Sequence, residues 1–494
     1  MFIGIDLGTS SIKTILIDEN QKTIDQSSTE LKLSNPRNGY YEQNPDEWFK
    51  ATLKCLHSLK KKNSKKFSAT KAIGISGQMH GATLLDNYGK VLRPCILWND
   101  TRSSKECTIM EKKYPLLRKE TGNIAMPGFT APKILWIKKN EPNIFRKINK
   151  ILLPKDYLRF RLTNAFFTDM SDASGTLWLN VRKRIWSEKL LNISGLNISN
   201  MPSLVEGSEP TEYLSLKIKN EFGFDNNVIV AGGAGDQAAG AFGASVIKDN
   251  QSMISLGTSG VYFSPSSKFF SNTNQGVHSF CHCLPKTWHQ MSVMLSATNC
   301  INWFSNLHGI KIQKSLLKAQ NYFENQFISN STPFFLPYLS GERTPHNNPH
   351  LRGSFHLLNT STNFDSLIYS IIEGISFGIR DGYDAVNYNG KKSNEIYFVG
   401  GGSKSLFLSN FIASTLNKEI LVAEDSELGP ALGVARLAMI ATNIYKISDI
   451  NKKMKIVRKC KPKKNVNKIL QDRYEKWTQI TKVNNSISNE IMDN

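Results

Sequence analysis

Residues 6–13 read Asp6-Leu7-Gly8-Thr9-Ser10-Ser11-Ile12-Lys13 and follow an apolar stretch, Phe2-Ile3-Gly4-Ile5, that predicts a β-strand. A glycine at the turn lets the backbone approach an anion closely, and hydroxyl and backbone N–H groups donate hydrogen bonds to the anion's oxygens. This pattern indicates a hairpin that binds phosphate. We expect contacts to a nucleotide from Gly8, Thr9, Ser10, Ser11 and Lys13.

The same pattern recurs in the second half of the chain, as Ser255-Leu256-Gly257-Thr258-Ser259-Gly260. A single copy is compatible with an ordinary β-turn. Two copies, one in each half, instead predict two lobes that face one nucleotide across a cleft, with Gly257 and Thr258 on its second side. Asp6 ends the first strand, and a carboxylate beside polyphosphate is tolerated when Mg²⁺ lies between them. We therefore expect Asp6 to hold Mg²⁺ through a water molecule.

Length and composition are typical of a multidomain enzyme. The chain has 494 residues, of which 40% are hydrophobic, so each of two or three domains can bury a core. Short apolar strands alternate with longer amphipathic segments, the pattern of α/β architecture. The sequence has no apolar run of about 18 residues, no recognisable secretion signal and no C-x-x-C pair among its seven cysteines. We expect a cytoplasmic protein with reduced thiols and no membrane partner.

Positive charge is unevenly distributed along the chain. The formal net charge is +21, and lysines concentrate in residues 60–66 and in the C-terminal segment. Such a charge raises the hypothesis of nucleic-acid binding. However, neither segment interleaves aromatic with basic residues, and no helix-turn-helix, zinc-finger or RNA-recognition pattern is present. We interpret these segments as solvated surface and expect no nucleic-acid partner.

Two glycine-rich turns accompany the hairpins. The first lies within residues 231–244 and delivers Asp236 to the first turn of a helix rich in Ala and Gly, which can pack closely against another element. An aspartate there is often only a helix N-cap, but its place directly before the lobe of the second hairpin favours a general base, and the two roles are compatible. The second turn follows the strand predicted at Glu395–Val399, and we expect it to contact adenosine through Gly400, Gly401, Gly402 and Ser403.

The order of these motifs resembles the FGGY family of carbohydrate kinases, which share the actin-like (ribonuclease H-like) ATPase fold. The family's pattern is matched by further stretches. These are Ser76–Thr83, Leu97–Asp100, Met126–Lys133, Leu153–Tyr157, Met170–Thr176, Leu336–Pro345 and the closing stretch Gly429–Gly433. Within the family, the Gln78-Met79-His80-Gly81 box is similar to that of the bacterial xylulokinases.

The resemblance implies a fold of two actin-like lobes around a nucleotide and sugar cleft, with ATP and Mg²⁺ as cofactors. Asp236 takes the position of the base that accepts a proton from the terminal hydroxyl of D-xylulose. Sugar contacts are implied for Gln78, Met79, His80, Asp100 and Gln237. Asp100 could equally pair with Arg102 as a surface salt bridge. Gln237 departs from the family's usual Asn at this position, and Ser403-Lys404-Ser405 departs from its Ala-Arg-Ser.

The predicted organisation has three parts. Residues 1–246 form a lobe with the sugar site, the first hairpin and Asp236; residues 247–445 form a lobe with the second hairpin and the adenosine site; and residues 446–494 form a basic helical tail outside the family resemblance. The sequence leaves a homodimer open. Two alternatives to a xylulokinase also stay open: a kinase for another ketose or polyol, such as ribulose or glycerol, and a non-catalytic actin-like ATPase.

Overall fold

Two seven-stranded sheets, one in each half of the chain, form the frame of the molecule. The computed structural model describes residues 1–325, 328, 331–390, 393–424, 429–451 and 454–493. The strands of the first half are β1 Phe2–Leu7, β2 Ser11–Ile17, β3 Thr23–Glu30, β4 Glu42–Gln43, β5 Ala72–Gly77, β6 Thr83–Leu85, β7 Cys95–Ile96, β8 Lys150–Leu152, β9 Phe167–Asp169, β10 Leu179–Asn180, β11 Ile185–Trp186, β12 Ser203–Val205, β13 Pro210–Tyr213, β14 Ile229–Ala231 and β15 Ala234–Gly235. Those of the second half are β16 Gln251–Leu256, β17 Gly260–Ser266, β18 His278–Cys281, β19 Trp288–Met294, β20 Phe334–Leu336, β21 Ser354–His356, β22 Glu395–Val399, β23 Ile420–Ala423 and β24 Ile456–Cys460.

Helices cover the faces of both sheets. In the first half they are α1 Pro45–Ser68, α2 Ser104–Lys113, α3 Leu117–Thr121, α4 Thr130–Asn140, α5 Pro142–Phe145, α6 Pro154–Thr163, α7 Met170–Ala173, α8 Glu188–Ser194, α9 Leu216–Phe222 and α10 Asp236–Gly243. In the second half they are α11 Thr298–Leu307, α12 Ile312–Asn325, α13 Phe364–Val386, α14 Leu406–Leu416, α15 Gly429–Ala441, α16 Ile447–Ile450 and α17 Lys464–Asp493. Within the part of the chain that the structure describes, no helix is long and apolar enough to cross a membrane.

Six strands of each sheet have the same order, and the seventh differs, since β15 pairs with β5 in the first sheet and β18 extends the edge beyond β19 in the second. In the first, β1 pairs antiparallel with β2 and parallel with β5; β2 continues to β3, and β5 continues to β14 and the antiparallel edge strand β13. In the second, β16 takes the place of β1, with β17 and β19 on one side and β22, β23 and the antiparallel edge strand β24 on the other. The central strands β1 and β5 are almost entirely buried, as is usual for strands covered on both faces.

Helix α15 belongs to the second half of the sequence but packs on the sheet of the first half. Contact is closest where glycines face it: a Cβ at Gly4 of β1 would lie 1.9 Å from the carbonyl oxygen of Ala431, and a Cβ at Gly74 of β5 equally close to that of Val434. The same helix packs against α10, whose C-terminal carbonyls of Phe242 and Gly243 accept hydrogen bonds from Arg436. The close packing predicted for the Ala/Gly-rich helix is present.

The C-terminal segment is part of the second lobe's core. Its strand β24 closes one edge of the second sheet, as β13 does in the first. In α17, the side chains of Leu470 and Trp477 are buried with the apolar residues of that lobe, and Arg473 forms a buried ion pair with Glu373 of α13. The interpretation of this segment as solvated basic surface is therefore wrong for its inward face, because the lysine-rich composition hides an apolar stripe. Residues 452, 453 and 494 of the predicted tail lie outside the described residues.

The predicted lobe boundary between residues 246 and 247 falls in the connection between α10 and β16. The division into parts at 246 and 445 stays a prediction. The strand predicted at Glu395–Val399 is present as β22 with the same bounds.

Candidate active site

Asp6 and Asp236 both lie at the carboxyl end of the first sheet, Asp6 on β1 and Asp236 directly after β15, and both strands pair with β5. Residue register places Asp6 of β1 beside Ser76 of β5, and Ser76 beside Ala234 of β15. Gly235 ends β15, and Asp236 begins α10 directly after it. Two short parallel pairings therefore bring together carboxyl groups that are 230 positions apart in the sequence. Parallel strands commonly converge on a site in this way, at their carboxyl ends.

The two carboxyl groups influence each other's protonation. Burial and, to a smaller extent, the nearby negative charge of Asp6 raise the pKa of Asp236 to about 7, although hydrogen bonds from Gln237 oppose the rise. One of them joins the backbone N–H of Gln237 to Oδ1 of Asp236 over 2.7 Å. Burial also raises the pKa of Asp6, to about 6, against the opposing effects of Lys13 and Ser76. A carboxyl group with a pKa near neutrality can both accept and return a proton under physiological conditions.

The first hairpin, between β1 and β2, is held by a network of buried amides. The backbone N–H of Gly8 donates to the carbonyl of Ser11 and closes the turn. Thr9 donates from its hydroxyl to Oε1 of Gln78 and accepts at that hydroxyl from the indole N–H of Trp98. Gln43 donates to the carbonyl oxygen of Thr9 and accepts from Nε2 of Gln78. These bonds fix the position of the Thr9 hydroxyl relative to the sheet.

Gln78 thus contacts the hairpin in this structure. Both ends of its amide are used by Thr9 and Gln43, and its backbone N–H donates to the carbonyl of Leu7. A direct contact of Gln78 with sugar stays a prediction. The observed contacts give this residue a supporting role for the phosphate hairpin.

Met79 and His80 form a turn below Asp236. A Cβ at Gly235 would lie only 2.8 Å from the sulfur of Met79. Met79 therefore packs against the backbone directly before Asp236. His80 has a positive φ of 70° and packs edge-on against Phe129. Burial lowers the pKa of His80 well below its usual value, and the positive charge of Lys133 lowers it further, so the ring is neutral at physiological pH.

The tautomer of His80 follows from its partner. Its Nδ1 lies 2.7 Å from the carbonyl oxygen of Gly175, which can only accept a hydrogen bond. In the neutral ring, Nδ1 therefore carries the proton and Nε2 is left as an acceptor. A sugar hydroxyl is a suitable donor to such a nitrogen.

Asp100 is engaged in a buried ion pair. Arg102 donates from Nη2 to Oδ2 of Asp100 over 2.7 Å and from Nε to Oδ1 over 2.9 Å, and the backbone N–H of Tyr41 also donates to Oδ2. The pairing considered from the sequence is present, although it is buried rather than at the surface. Substrate binding by Asp100 stays a prediction, and its observed contacts orient the loop that carries Trp98.

The second hairpin and the glycine turn meet in the second lobe. The loop of Gly257 and Thr258 is held from α11, since Thr298 donates from both its backbone N–H and its hydroxyl to the carbonyl of Gly257. Gly400 has a φ of 84° and approaches the end of β16, where its Cβ would lie 2.8 Å from the carbonyl oxygen of Leu256. The backbone of Gly400 therefore lies directly beside the second hairpin, as a nucleotide site requires.

Ser403 closes the glycine turn. Its hydroxyl donates to the carbonyl of Gly400 over 2.8 Å, and its own carbonyl accepts a hydrogen bond from Nη2 of Arg458 in β24. The C-terminal segment thereby supports the predicted adenosine turn. Around Gly257 and Gly401 the structure leaves room, because a Cβ at either position would meet no atom of the described residues within 4 Å.

A cavity of about 180 Å³ is lined by residues from both halves of the chain. Asp236 and Gln237 of the first half line it together with Gly400 of the glycine turn and Ser255 of β16. Its remaining lining comes from apolar residues and from the start of α15, and comprises Gly240, Gly243, Ala244, Met253, Val399, Gly429, Pro430 and Met454. The predicted base and one predicted nucleotide residue, Gly400, therefore line the same cavity.

Both halves of the chain match models of one family. Residues 1–243 match the N-terminal domain of the FGGY family of carbohydrate kinases, and residues 252–442 match its C-terminal domain. The chain belongs to the FGGY family of carbohydrate kinases. Its architecture is the two-lobed actin-like ATPase fold of that family, as predicted.

Individual relatives extend the match beyond the family models. A xylulose kinase of Escherichia coli (strain K12) is 46% identical over 443 residues, which cover 90% of each protein. A xylulose kinase of Lactococcus lactis subsp. lactis (strain IL1403) is 34% identical over 497 residues, covering 99% of this chain and 98% of the relative. A crystal structure of a xyloylose kinase from Brucella ovis superposes with a TM-score of 0.94 and 41% identity over 98% of this chain and 99% of that one.

The family models end at residue 442, which agrees with the predicted extent of the family resemblance. The last two matches nevertheless cover nearly the whole chain, including most of the segment 446–494. Strand β24 and helix α17 lie in this segment and pack with the second lobe. The assignment of residues 446–494 as a separate part stays a prediction.

Three supporting residues of this FGGY protein were missed by the sequence interpretation. Gln43 lies in a two-residue strand without a motif of its own. Lys133 ends the stretch Met126–Lys133 that matches the family's pattern. Only the fold shows that its ammonium group donates to the backbone carbonyls of His80 and Gly128, over 3.0 and 2.7 Å. Arg458 lies in the segment interpreted as a tail. No local sequence signal distinguishes these residues from ordinary surface or core positions.

Proposed function

We propose that this protein is a xylulose kinase, which transfers the γ-phosphoryl group of ATP to the terminal 5-hydroxyl of D-xylulose. The products are D-xylulose 5-phosphate and ADP. The proposal is supported by the names of its relatives, which align over most of both chains. The structural observation that carries it is the convergence of Asp6 and Asp236 at the carboxyl end of the first sheet, where Asp236 lines a cavity together with Gly400 of the second lobe's glycine turn.

Asp236 is the general base of the proposed reaction. Its carboxylate accepts the proton of the 5-hydroxyl as the hydroxyl oxygen forms a bond with the γ-phosphorus. The bond between this phosphorus and the bridging oxygen of ADP breaks, and the electron pair leaves with ADP. Since most catalysis of phosphoryl transfer comes from positioning and from charge stabilisation, the base supplies a modest share of the rate.

The sugar is held mainly by the turn below Asp236. Nε2 of His80 accepts a hydrogen bond from a sugar hydroxyl, because Nδ1 is occupied by the carbonyl of Gly175. Met79 packs on the carbon chain, and Gln237 contacts a hydroxyl next to the attacking oxygen. The neutral state of His80 suits an uncharged ligand, since a protonated ring would leave no acceptor.

The phosphates are held by both hairpins. Gly8, Thr9, Ser10, Ser11 and Lys13 contact them from the first lobe, and Gly257 and Thr258 from the second. The adenosine lies against the turn formed by Gly400, Gly401, Gly402 and Ser403. The amide network behind Thr9 and the support of Gly400 by the end of β16 hold the two binding elements in place.

Mg²⁺ is the proposed metal cofactor, and the residues present fit it. Among the described residues, no group of three His, Cys, Asp or Glu side chains could hold a metal ion. Mg²⁺ commonly retains several waters and binds through one or two carboxylates together with substrate phosphates. Asp6, an oxygen ligand beside the phosphate hairpin, suits that mode. When bound, the metal neutralises charge on the polyphosphate.

We further propose a cytoplasmic location, which is supported by the seven cysteines, all of them buried free thiols. A homodimer remains a proposal without a structural argument.

A substrate panel tests the assignment. ADP release is measured by a coupled assay with D-xylulose, D-ribulose, L-ribulose, D-fructose and glycerol, at equal concentrations and with Mg-ATP. We expect the largest kcat/KM for D-xylulose. A larger value for ribulose or glycerol would reassign the substrate, and ADP release that none of these acceptors stimulates would favour an actin-like ATPase that is not a sugar kinase.

A further inference from the structure

Two sequence motifs of the first lobe, at the start of α6 and in α7, contribute no residue to the proposed reaction. Lys155 and Asp156 begin α6, and Ser171 and Asp172 lie in α7; all four side chains are buried in the first lobe. The Lys155 ammonium lies 2.5 Å from Oδ1 of Asp156, 2.9 Å from Oδ1 of Asp169 and 3.5 Å from Oδ2 of Asp172.

Arg159 adds a second cation to this cluster and donates to Oδ1 of Asp156 over 2.8 Å. Asp172 is the third carboxyl group of the cluster, and burial raises its pKa well above its ordinary value. A buried charge cluster is costly to assemble and is seldom favourable for stability alone. Its contacts with the rest of the lobe are therefore informative.

The cluster is connected to the predicted base by a short chain of hydrogen bonds. Oδ2 of Asp169 accepts from the backbone N–H of Ser171 over 2.8 Å and from its hydroxyl over 2.5 Å. The Ser171 hydroxyl oxygen in turn accepts from the backbone N–H of Gly235 over 3.1 Å. Gly235 directly precedes Asp236. Because the hydroxyl proton points to Asp169, the oxygen lone pairs are directed to Gly235.

A second attachment holds the other end of the same turn. Arg159 donates from Nη2 to the carbonyl oxygen of Gly232, and from Nη1 to that of Phe167 over 2.7 Å. The glycine-rich turn from Gly232 to Gly235 is thus fixed at both ends by groups that converge on the Lys155 cluster. Glycines leave the backbone of a turn unusually free, so external attachment is needed if Asp236 is to keep one position.

We propose that Ser171 is a positioning residue for the reaction, which transmits the rigidity of the Lys155 cluster to the backbone of Asp236. The proposal rests on the proposed function only in naming Asp236 as the base. Ser171 touches neither substrate in this scheme. Loss of the Ser171 hydroxyl should displace the Asp236 carboxylate from its alignment with the sugar hydroxyl. This displacement should slow the chemical step without weakening the binding of sugar or ATP. Displacements of about 1 Å can cost roughly a hundredfold in rate.

The test compares Ser171→Ala with Ser194→Ala. Ser194 is a matched control, because it is also a buried serine of the first lobe with one side-chain partner donating to it, the indole N–H of Trp178. We expect Ser171→Ala to lower kcat by about tenfold to a hundredfold while both KM values stay within about twofold. Ser194→Ala should keep the parent's kcat, with a similar loss of melting temperature. Ser171→Thr, which keeps the hydroxyl, should recover most of the lost kcat.

Hydrogen–deuterium exchange provides a readout that needs no substrate. In Ser171→Ala, the amides of residues 232–236 should exchange faster than in the parent, whereas Ser194→Ala should leave them unchanged. Equal exchange in all three proteins, or a kcat of Ser171→Ala within threefold of Ser194→Ala, would overturn the proposal. If the parent phosphorylates nothing in the substrate panel but the exchange difference is found, the attachment stands and the proposed function fails.

Discussion

The negative charge of Asp6 acts on Asp236 across two strands of one sheet and helps to hold the pKa of Asp236 at about 7. We propose Asp6 as the metal ligand and Asp236 as the proton acceptor, and the two carboxyl groups have different surroundings. Two titratable groups in different environments can take different roles in acid–base chemistry. The predictions below separate the two roles.

Asp236→Asn should lower kcat by roughly 10²–10⁴-fold, the usual range for the loss of a general base. The amide is isosteric but cannot accept the proton, so ATP should bind as tightly as it does to the parent. Steady-state kinetics and nucleotide titration check both parts. Asp249→Asn, a change at an exposed aspartate that contacts Ser267, is the control. A kcat within a few-fold of that control would remove Asp236 from the reaction.

The rate should depend on pH with a midpoint near the pKa of Asp236. A base acts only when ionised, so kcat/KM should fall as the pH drops below about 7 and level off above it. Asp6→Asn removes the charge that raises this pKa, and its weaker activity should therefore show the midpoint at lower pH. A profile that is flat from about pH 5.5 to 8 in the parent would contradict the assignment.

Asp6→Ala should lower turnover and raise the concentration of Mg²⁺ needed for half-maximal activity. The change removes the oxygen ligand beside the phosphates but leaves the base in place. We expect a loss of at least about tenfold at low Mg²⁺, partly recovered at high Mg²⁺. The measurement is a Mg²⁺ titration at saturating ATP, with Asp18→Ala at the far end of β2 as control. An unchanged Mg²⁺ dependence would exclude the metal role.

Gln237→Asn and Gln237→Ala should raise KM for D-xylulose and leave KM for ATP unchanged. If the amide binds a buried sugar hydroxyl, the alanine variant should lose about 1–3 kcal/mol in kcat/KM, and the shorter asparagine less. Kinetics across the ketose panel measure the effect. Parent-like behaviour of both variants would mean that Gln237 does not reach the sugar, and the pocket would then consist of Met79, His80 and Asp236.

Arg473→Met should strongly destabilise the second lobe. Arg473 makes two hydrogen bonds of 2.6 Å to the carboxylate of Glu373, and removing it leaves a buried charge, at a cost of about 3–5 kcal/mol. The double variant Arg473→Met/Glu373→Leu should recover much of the loss, since no charge then remains buried. Thermal melting compares them with Lys468→Met at an exposed position of α17. If Arg473→Met melts like that control, the C-terminal helix contributes little to the lobe.

The features that could be predicted from sequence are those encoded locally. Each hairpin is a few residues long, and the combination of strand, glycine and hydroxyl residues identifies it wherever it occurs. Asp236 was recognisable because it stands beside such a motif. The contacts of Gln78 could not be predicted, because its partner Gln43 is 35 positions away and carries no motif.

Charge patterns were the least informative part of the sequence. In α17 the inward residues Leu470, Arg473 and Trp477 are spaced by three and four positions, but lysines surround them and dominate the composition. The buried ion pair of Arg473 depends on Glu373, which lies 100 positions earlier. Lys155 and Ser171 likewise act through partners that only the fold brings together. Tertiary packing determines which charged residues pair over long sequence distances, and the periodicity of the sequence does not predict these pairs.

Helix α15 makes the two halves of this protein dependent on each other for folding. Its residues lie within the second half of the chain, between β23 and β24 of the second sheet, yet they fill the face of the first lobe's sheet above Gly4 and Gly74. A fragment that ends at residue 246 would expose that apolar face to water, and the complementary fragment would carry an unpaired apolar helix. Neither fragment is expected to be an autonomous unit, whereas the two together should reassemble by complementation. Insertion or circular permutation is therefore better tolerated on surface loops than at the sequence boundary between the lobes.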